Sequence, residues 1–378
     1  MAIADVAEYA HLSESDLDAL AAALDDIRRD VEATRGTRDR TYIRRTIAFQ
    51  RALELASRLT IAGTKGRRGW WLGTLGLAAA KSIENMEIAH NVGHGQWDWM
   101  NDPEIHSTTW EWDMAGLSSQ WRYSHNYRHH VNTNVVGVDD DLGYGVLRVT
   151  KDQEWNPGYL FAPLRSVLLA LGFEWGIALH DLYSEQERAT TDAEKSAHGK
   201  ALLRKIGRQM GKDYALYPAL SMKRWRRTLG ANITANVLRN IWAYVVICCG
   251  HFADGAEKFE PETLEDETKA EWYLRQMLGS ANFDAGPVMA FMSGNLCYQI
   301  EHHLFPDLPS NRYAEIARRV RALCDTYELP YTTGHLIKQY LMTVRTVFAL
   351  ALPDRFSENG FRPTRLGVEK LQQVRAIS

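Results

Sequence analysis

The sequence predicts a mainly α-helical protein built on short membrane-embedded helices. Two patterns predict the class: strand-like alternation of apolar and polar residues is sparse, and the apolar residues gather in blocks of helical length. A third observation, the clustering of many of the 13 histidines, says where to look for chemistry.

The chain has 378 residues, enough for one large or two modest domains, and easily buries a core. A net charge of -3 gives no global basic character, so nucleic acid is not an expected partner. Cys248, Cys249, Cys297 and Cys324 show no paired metal spacing. They predict free thiols in a reducing compartment rather than a disulfide framework. The first twenty residues lack a basic region followed by an apolar core, so no signal peptide is expected.

Residues 13–60 read as helix. Ser13, Ser15 and Asp16 offer caps ahead of Leu17, Leu20 and Leu24. Charged residues dominate through Arg45, which gives an amphipathic N-terminal arm over 1–45. The main domain is expected over 46–340 and a C-terminal tail over 341–378. Residues 46–64 carry Arg51, Glu54 and Arg58 and make a poor spanning helix. Gly66 and Gly69 punctuate the chain. The stretch from Trp70 is apolar to Ala80, and its helix is expected to continue to His90. Further apolar blocks run from Tyr159 to Leu182, Ile233 to Phe252 and Ala285 to Tyr298. A span needs about 20 mostly apolar residues. Arg165, Glu174, Asn236, Arg239 and Asn240 interrupt these blocks. Polar groups there are expected to face the protein interior. A soluble protein with buried helices is the alternative, and a mean hydropathy of -0.34 suits it.

Histidines follow several of these blocks. His90 and His94 are spaced i, i+4 and share a helical face. His125 and His129 repeat that spacing, with His130 beside them. His302 and His303 follow Gln299 at i+3 and i+4. The Gln299 amide oxygen could ligate a metal or hold a metal-bound water. His251 closes the third block; alone it would read as a hydrogen-bonded core residue, and beside the clusters it is a candidate ligand. Eight imidazoles exceed the four ligands a zinc ion takes, so two metals are implied. All-nitrogen donation without thiolate favours a redox metal that activates oxygen. HExxH is absent, which disfavours a zincin protease.

HNVGH at 90–94, HNYRHH at 125–130 and QIEHHLFP at 299–306 resemble the three histidine boxes of membrane fatty-acid desaturases. The order and separation also fit, and the resemblance runs from about Arg45 to Leu336. ENMEIAHNVGHGQWDWMNDPEIHSTTWEWD at 84–113 resembles the actinobacterial acyl-CoA desaturases. The resemblance implies a helical cytoplasmic cap on membrane helices, holding two Fe ions. O2 would be the co-substrate and a long-chain acyl-CoA or acyl-lipid the substrate, with a cis double bond introduced and delta-9 a candidate position. Gln299 stands where the family usually has a histidine. No HPGG haem motif occurs, so electrons are expected from a separate NAD(P)H-dependent reductase or ferredoxin-type donor. Ile247, four residues before His251, cannot take the water-holding asparagine role seen in animal relatives.

Ligating histidines usually pass their second N–H to a carboxylate or carbonyl. Glu87, Glu301, Asp139, Asp140 and Asp141 are candidates, although the aspartate run reads more simply as a solvated loop. Trp97, Trp99, Trp110 and Trp112 could wall an acyl tunnel or be plain core. Lys223, Arg224, Arg226 and Arg227 could meet CoA phosphates, a reductase or anionic lipid, or form a solvated face. A hydroxylase on the same boxes is the nearest alternative. A carboxylate-rich ferritin-like enzyme fits less well, because Glu87 and His90 form a single ExxH match. A membrane haem or metal-binding protein would leave most of the histidines unexplained.

Overall fold

A computed structural model describes residues 6, 8–253 and 255–354. Among them there are no β-strands, only isolated bridges pairing Val135 with Phe259 and Asp284 with His335. The expected tail at 341–378 lies partly outside the described residues.

The N-terminal helix α1 spans Glu14–Thr34, opened by a capping box between Ser13 and Asp16. Its buried stripe of Leu20, Leu24, Ile27 and Val31 keeps helical spacing. The single helix expected over 13–60 is in fact two. Helix α2, Thr37–Gly63, begins after a break at Arg35 and Gly36. The break is fixed from a distance. Arg312 donates to the Thr34 carbonyl at 2.8 Å and to the buried Asp39 carboxylate at 2.6 and 2.9 Å. Asp39 in turn accepts from the Gly36 amide. Local composition contains no trace of this partner.

Helix α3, Arg67–Ser82, packs antiparallel on α2 and runs without interruption into a π-helix, Ile83–His90. The helix does reach His90 as expected, but its last two turns are wider. A short helix α4, Ser118–Trp121, likewise becomes π-helical over Arg122–His129. Two helices, α5 at Ala162–Leu171 and α6 at Phe173–Arg188, form a pair bent by 105°. Helix α7 is Asp192–Met210, and α8, Trp225–His251, packs along α3. The region around Met222–His251 is long and apolar enough to cross a membrane; the bent pair passes the same test if taken together.

Glu174 and Arg239 do face inward, as does Lys81 just past the first block, whereas Arg165 is only half-buried. Lys81 Nζ lies 2.7 Å from Asp113 and 2.8 Å from Asp213. Arg239 pairs with Glu174 at 2.8 Å. Buried charges need such partners, because leaving one unpaired costs several kcal/mol, roughly 3–5. The outer surface is the reverse. Leu164, Val167, Leu168 and Leu171 of α5 are exposed. So are Ile337, Leu341 and Phe348 of the packed neighbour α13, introduced below. Contiguous apolar surface of this kind suits lipid contact.

The C-terminal third supplies α9, Lys269–Leu278, α10, Pro287–Met292, and α11, Gln299–Leu304. Helices α12, Tyr313–Thr326, and α13, Leu336–Ala351, complete the described chain. The turn between α10 and α11 holds Gly294 at φ +70 against the π-helix of α3. A Cβ there would sit 2.4 Å from the Met86 carbonyl oxygen. Gly294→Ala therefore combines a left-handed backbone with a clash against fixed backbone. It should cost about 2–4 kcal/mol and lower the thermal midpoint in detergent. An unchanged midpoint would show that this contact does not hold the two segments together.

Candidate metal centre

Three chain segments and the end of α8 bring the histidines together. His90 and His94 close the α3 unit, their Nε2 atoms 3.3 Å apart. In the second segment the π-helical register does specific work. The His130 amide donates to the His125 carbonyl at 2.9 Å, an i→i+5 bond. That brings the His130 ring edge-on to His125, centroids 4.8 Å apart, where an α-helix would turn it away, so all three histidines of 125–130 reach one site. His251 donates through Nδ1 to the Ile247 carbonyl at 2.9 Å, so its Nε2 points outward. That Nε2 lies 3.0 Å from the Nε2 atoms of both His129 and His303.

The ligand-capable atoms fall into three overlapping groups. They are His90, His94, His125 and His302; His125, His129 and His130; and His129, His251 and His303. Within each group the nitrogens lie within 4.8 Å of one another. His302 and His303 are neighbours on α11 and go to different groups. Gln299 Nε2 is 3.2 Å from His251 Nε2.

The donor set fits metal ions. Both nitrogens of His130, Nε2 of His125 and His302, and Oε1 of Gln299 are buried without a hydrogen-bond partner. Buried polar atoms are normally satisfied, and so many orphans in one place mark a site for cations. Burial first, and then the neighbouring imidazoles, holds His130, His302 and His303 well below the usual histidine range. They stay neutral, the form that binds metal. His129 goes the other way: burial lowers it, but the nearby Asp139 and Asp141 charges outweigh that and raise it.

Outer partners orient the rings. His129 Nδ1 meets both oxygens of Asp139 at 2.9 and 3.0 Å. His125 Nδ1 lies 2.8 Å from Asp141. Both aspartates are buried, so the solvated-loop reading of the run fails for them. The loop turns inward because Asp139 also accepts from the Asn134 and Asp141 amides. Asp140 alone faces away, paired with Arg128. Asp139→Ala should cost ~10–100-fold in metal affinity or activity, the usual loss for such partners. Asp140→Ala should change metal content little, and equal losses in the two variants would argue against an orienting role for Asp139.

Glu87 and Glu301 do not touch histidines. Glu87 accepts from Tyr42, Ser310 and Asn295, tying α2 and the C-terminal segment to α3. Glu301 accepts from Asn282 and Tyr331. The rings they were expected to orient have other partners: His302 Nδ1 meets Tyr313 at 3.2 Å and His90 Nδ1 meets Asn91 at 3.2 Å.

A cavity opens beside the histidines, lined by His90, His125, His251 and Gln299 on one side. Met86, Trp112, Trp121, Tyr144, Phe173 and Ile247 are among its apolar walls. Of the four expected tryptophans only Trp112 lines it; Trp97 is core in a separate cluster. Trp121 was not anticipated, yet it stacks on His125 with centroids 4.6 Å apart. Gly93 leaves room for it, since a Cβ there would meet the ring at 2.4 Å. His180 was also missed. It lies 3.0 Å from Asp141 and so shares that carboxylate with His125. The only sequence signal was a polar His180-Asp181 pair inside an apolar block. The basic run lies at the other end of α8 from His251, about 40 Å away at the helical rise. Arg224 and Arg227 there donate to the Ala62 and Gly66 carbonyls, so part of the run secures the α2–α3 turn.

A helical scaffold that turns this many buried imidazoles toward one another beside an apolar pocket defines a candidate metal centre. The family model for fatty acid desaturases matches residues 68–335. The NADPH-dependent stearoyl-CoA 9-desaturase of Mycobacterium tuberculosis is 58% identical over 363 residues, covering 94% of this chain and 85% of the relative. The sn-1 linoleoyl-lipid 6-desaturase of Synechocystis is 26% identical over 69% of this chain and 74% of its own. Fatty acid desaturase 3 of Bos taurus is 26% identical over 74% and 62%. The chain belongs to the fatty acid desaturase family, and it is an oxidoreductase.

Proposed function

We propose that the chain introduces a cis double bond at the delta-9 position of a long-chain acyl-CoA of the stearoyl class. The observation that carries the reading is the meeting of two imidazole groups at the wall of an apolar cavity. The similarity to a mycobacterial stearoyl-CoA 9-desaturase supports the substrate and position.

His90, His94, His125 and His302 would hold one iron, and His129, His251 and His303 the other. His130 stands between them, and Gln299 suits a water-holding position because its amide is a weaker donor than imidazole. Two irons there would supply the oxidising power that an unactivated methylene demands. The protein's own part is positional. Asp139, Asp141 and the Ile247 carbonyl fix ring rotation, and the aromatic walls hold an extended acyl chain and exclude water. Electrons come from a separate NADPH-dependent reductase or ferredoxin-type donor. The exposed apolar faces of α5 and α13 rest in membrane lipid, with the metal end on the cytoplasmic side. The catalytic unit takes in 46–340 together with the rest of α2 and α13, which cross those bounds, and follows an N-terminal arm.

The test is purification from the membrane fraction in detergent, then incubation with stearoyl-CoA, NADPH, oxygen and a reductase. Mass spectrometry should show a product lighter by two hydrogens with its double bond at carbon 9. No unsaturated product with a competent reductase present would overturn the proposal.

A further inference from the structure

One polar wall of the cavity takes no part in holding the candidate ligands. Asp181 of α6 is 1% exposed and lines the cavity with Trp121, His125 and Ile177. Its Oδ1 accepts the Ser124 hydroxyl at 2.5 Å. Its Oδ2 is buried without a hydrogen-bond partner. Among the described residues no lysine or arginine pairs with it, and the charged groups acting on it are His180, Asp141 and Glu185. An apolar residue would fill this place at less cost, so a carboxyl here needs a reason.

We propose that Asp181 relays protons into the cavity during turnover. The inference rests on the desaturase reading. In that reaction O2, the –CH2–CH2– unit, two electrons and two protons give –CH=CH– and two H2O. The electrons come from the reductase, and the protons must enter from solvent past aromatic and aliphatic walls. The other carboxylate lining the cavity, Asp141, cannot serve, since His125 and His180 occupy its two oxygens. Asp181 has one oxygen held and one free. The Ser124 hydroxyl anchors Oδ1 one residue before His125, while Oδ2 takes a proton from incoming water and releases it toward the oxygen being reduced. An O–H bond forms and breaks once per proton, and the carboxylate is regenerated.

Asp181→Asn keeps the acceptor for Ser124 and the side-chain volume but cannot carry a proton. It should retain wild-type iron content and thermal midpoint while turnover falls at least about tenfold. Product per NADPH oxidised should fall as well, with peroxide released instead. Asp181→Glu should restore part of the turnover. An Asn variant with near-normal turnover and coupling would overturn the relay, and so would one that loses iron, which would assign Asp181 a structural role. If the Asn variant does not accumulate, the Glu variant decides: an altered solvent deuterium effect on turnover supports the relay and an unaltered one overturns it. Wild-type protein that forms no product in the same assay would instead overturn the desaturase reading, and the relay with it.

Discussion

His302→Ala should leave the purified protein short of iron and without detectable product, and His303→Ala should do the same. The reason lies in how α11 divides its two imidazoles. His302 joins His90, His94 and His125, while His303 joins His129 and His251. Each variant opens one group and leaves it one imidazole short. Both side chains are fully buried, and the Tyr313 and Thr133 hydroxyls that now orient the rings remain as partners for a water but not as ligands of imidazole strength. Gln299→His is the informative contrast. It restores the HxxHH spacing one turn before His303 and should keep both irons and some desaturation. The measurement is iron per chain with product formation for the three variants. Retention of both irons and near-normal product in His302→Ala would mean that 299–303 is not a ligand set.

Exchange of the metal should be nearly as severe for activity and opposite for stability. A chelator should abolish desaturation and lower the thermal midpoint, because metal binding to the native state contributes about 4 kcal/mol when ligand is at 1,000 times its dissociation constant. Reloading with zinc should recover most of the midpoint, since imidazole suits zinc well. It should recover none of the activity, because zinc has no redox chemistry. Desaturation by the zinc-loaded protein at the iron-loaded rate would refute the redox role assigned to the site.

The parts of the site that were legible in the sequence are those with a local spacing. His90 and His94, or His125 and His129, declare a shared face by their separation alone. The register that brings His130 in does not, because a π-helix differs from an α-helix in hydrogen bonding and not in composition. The aspartate run was ambiguous for a related reason. Asp139, Asp140 and Asp141 are one residue type in a row, and only the fold decides that the first and third turn inward. The break before α2 depends on Arg312, far along the chain, and no window around Gly36 could contain it. The helical class was readable because apolar blocks of helical length do not depend on distant partners. The bend between α5 and α6 was hidden inside one such block.

The division of labour on α11 has a further consequence for how the protein is made. Each of the two outer groups lacks a member until residues 302 and 303 have left the ribosome, by which time most of the chain has been synthesised. A truncated or stalled chain would carry His90, His94, His125, His129, His130 and His251, yet could complete neither group. Filling of either outer group would then wait for residues 302 and 303, whereas the group of His125, His129 and His130 is complete earlier.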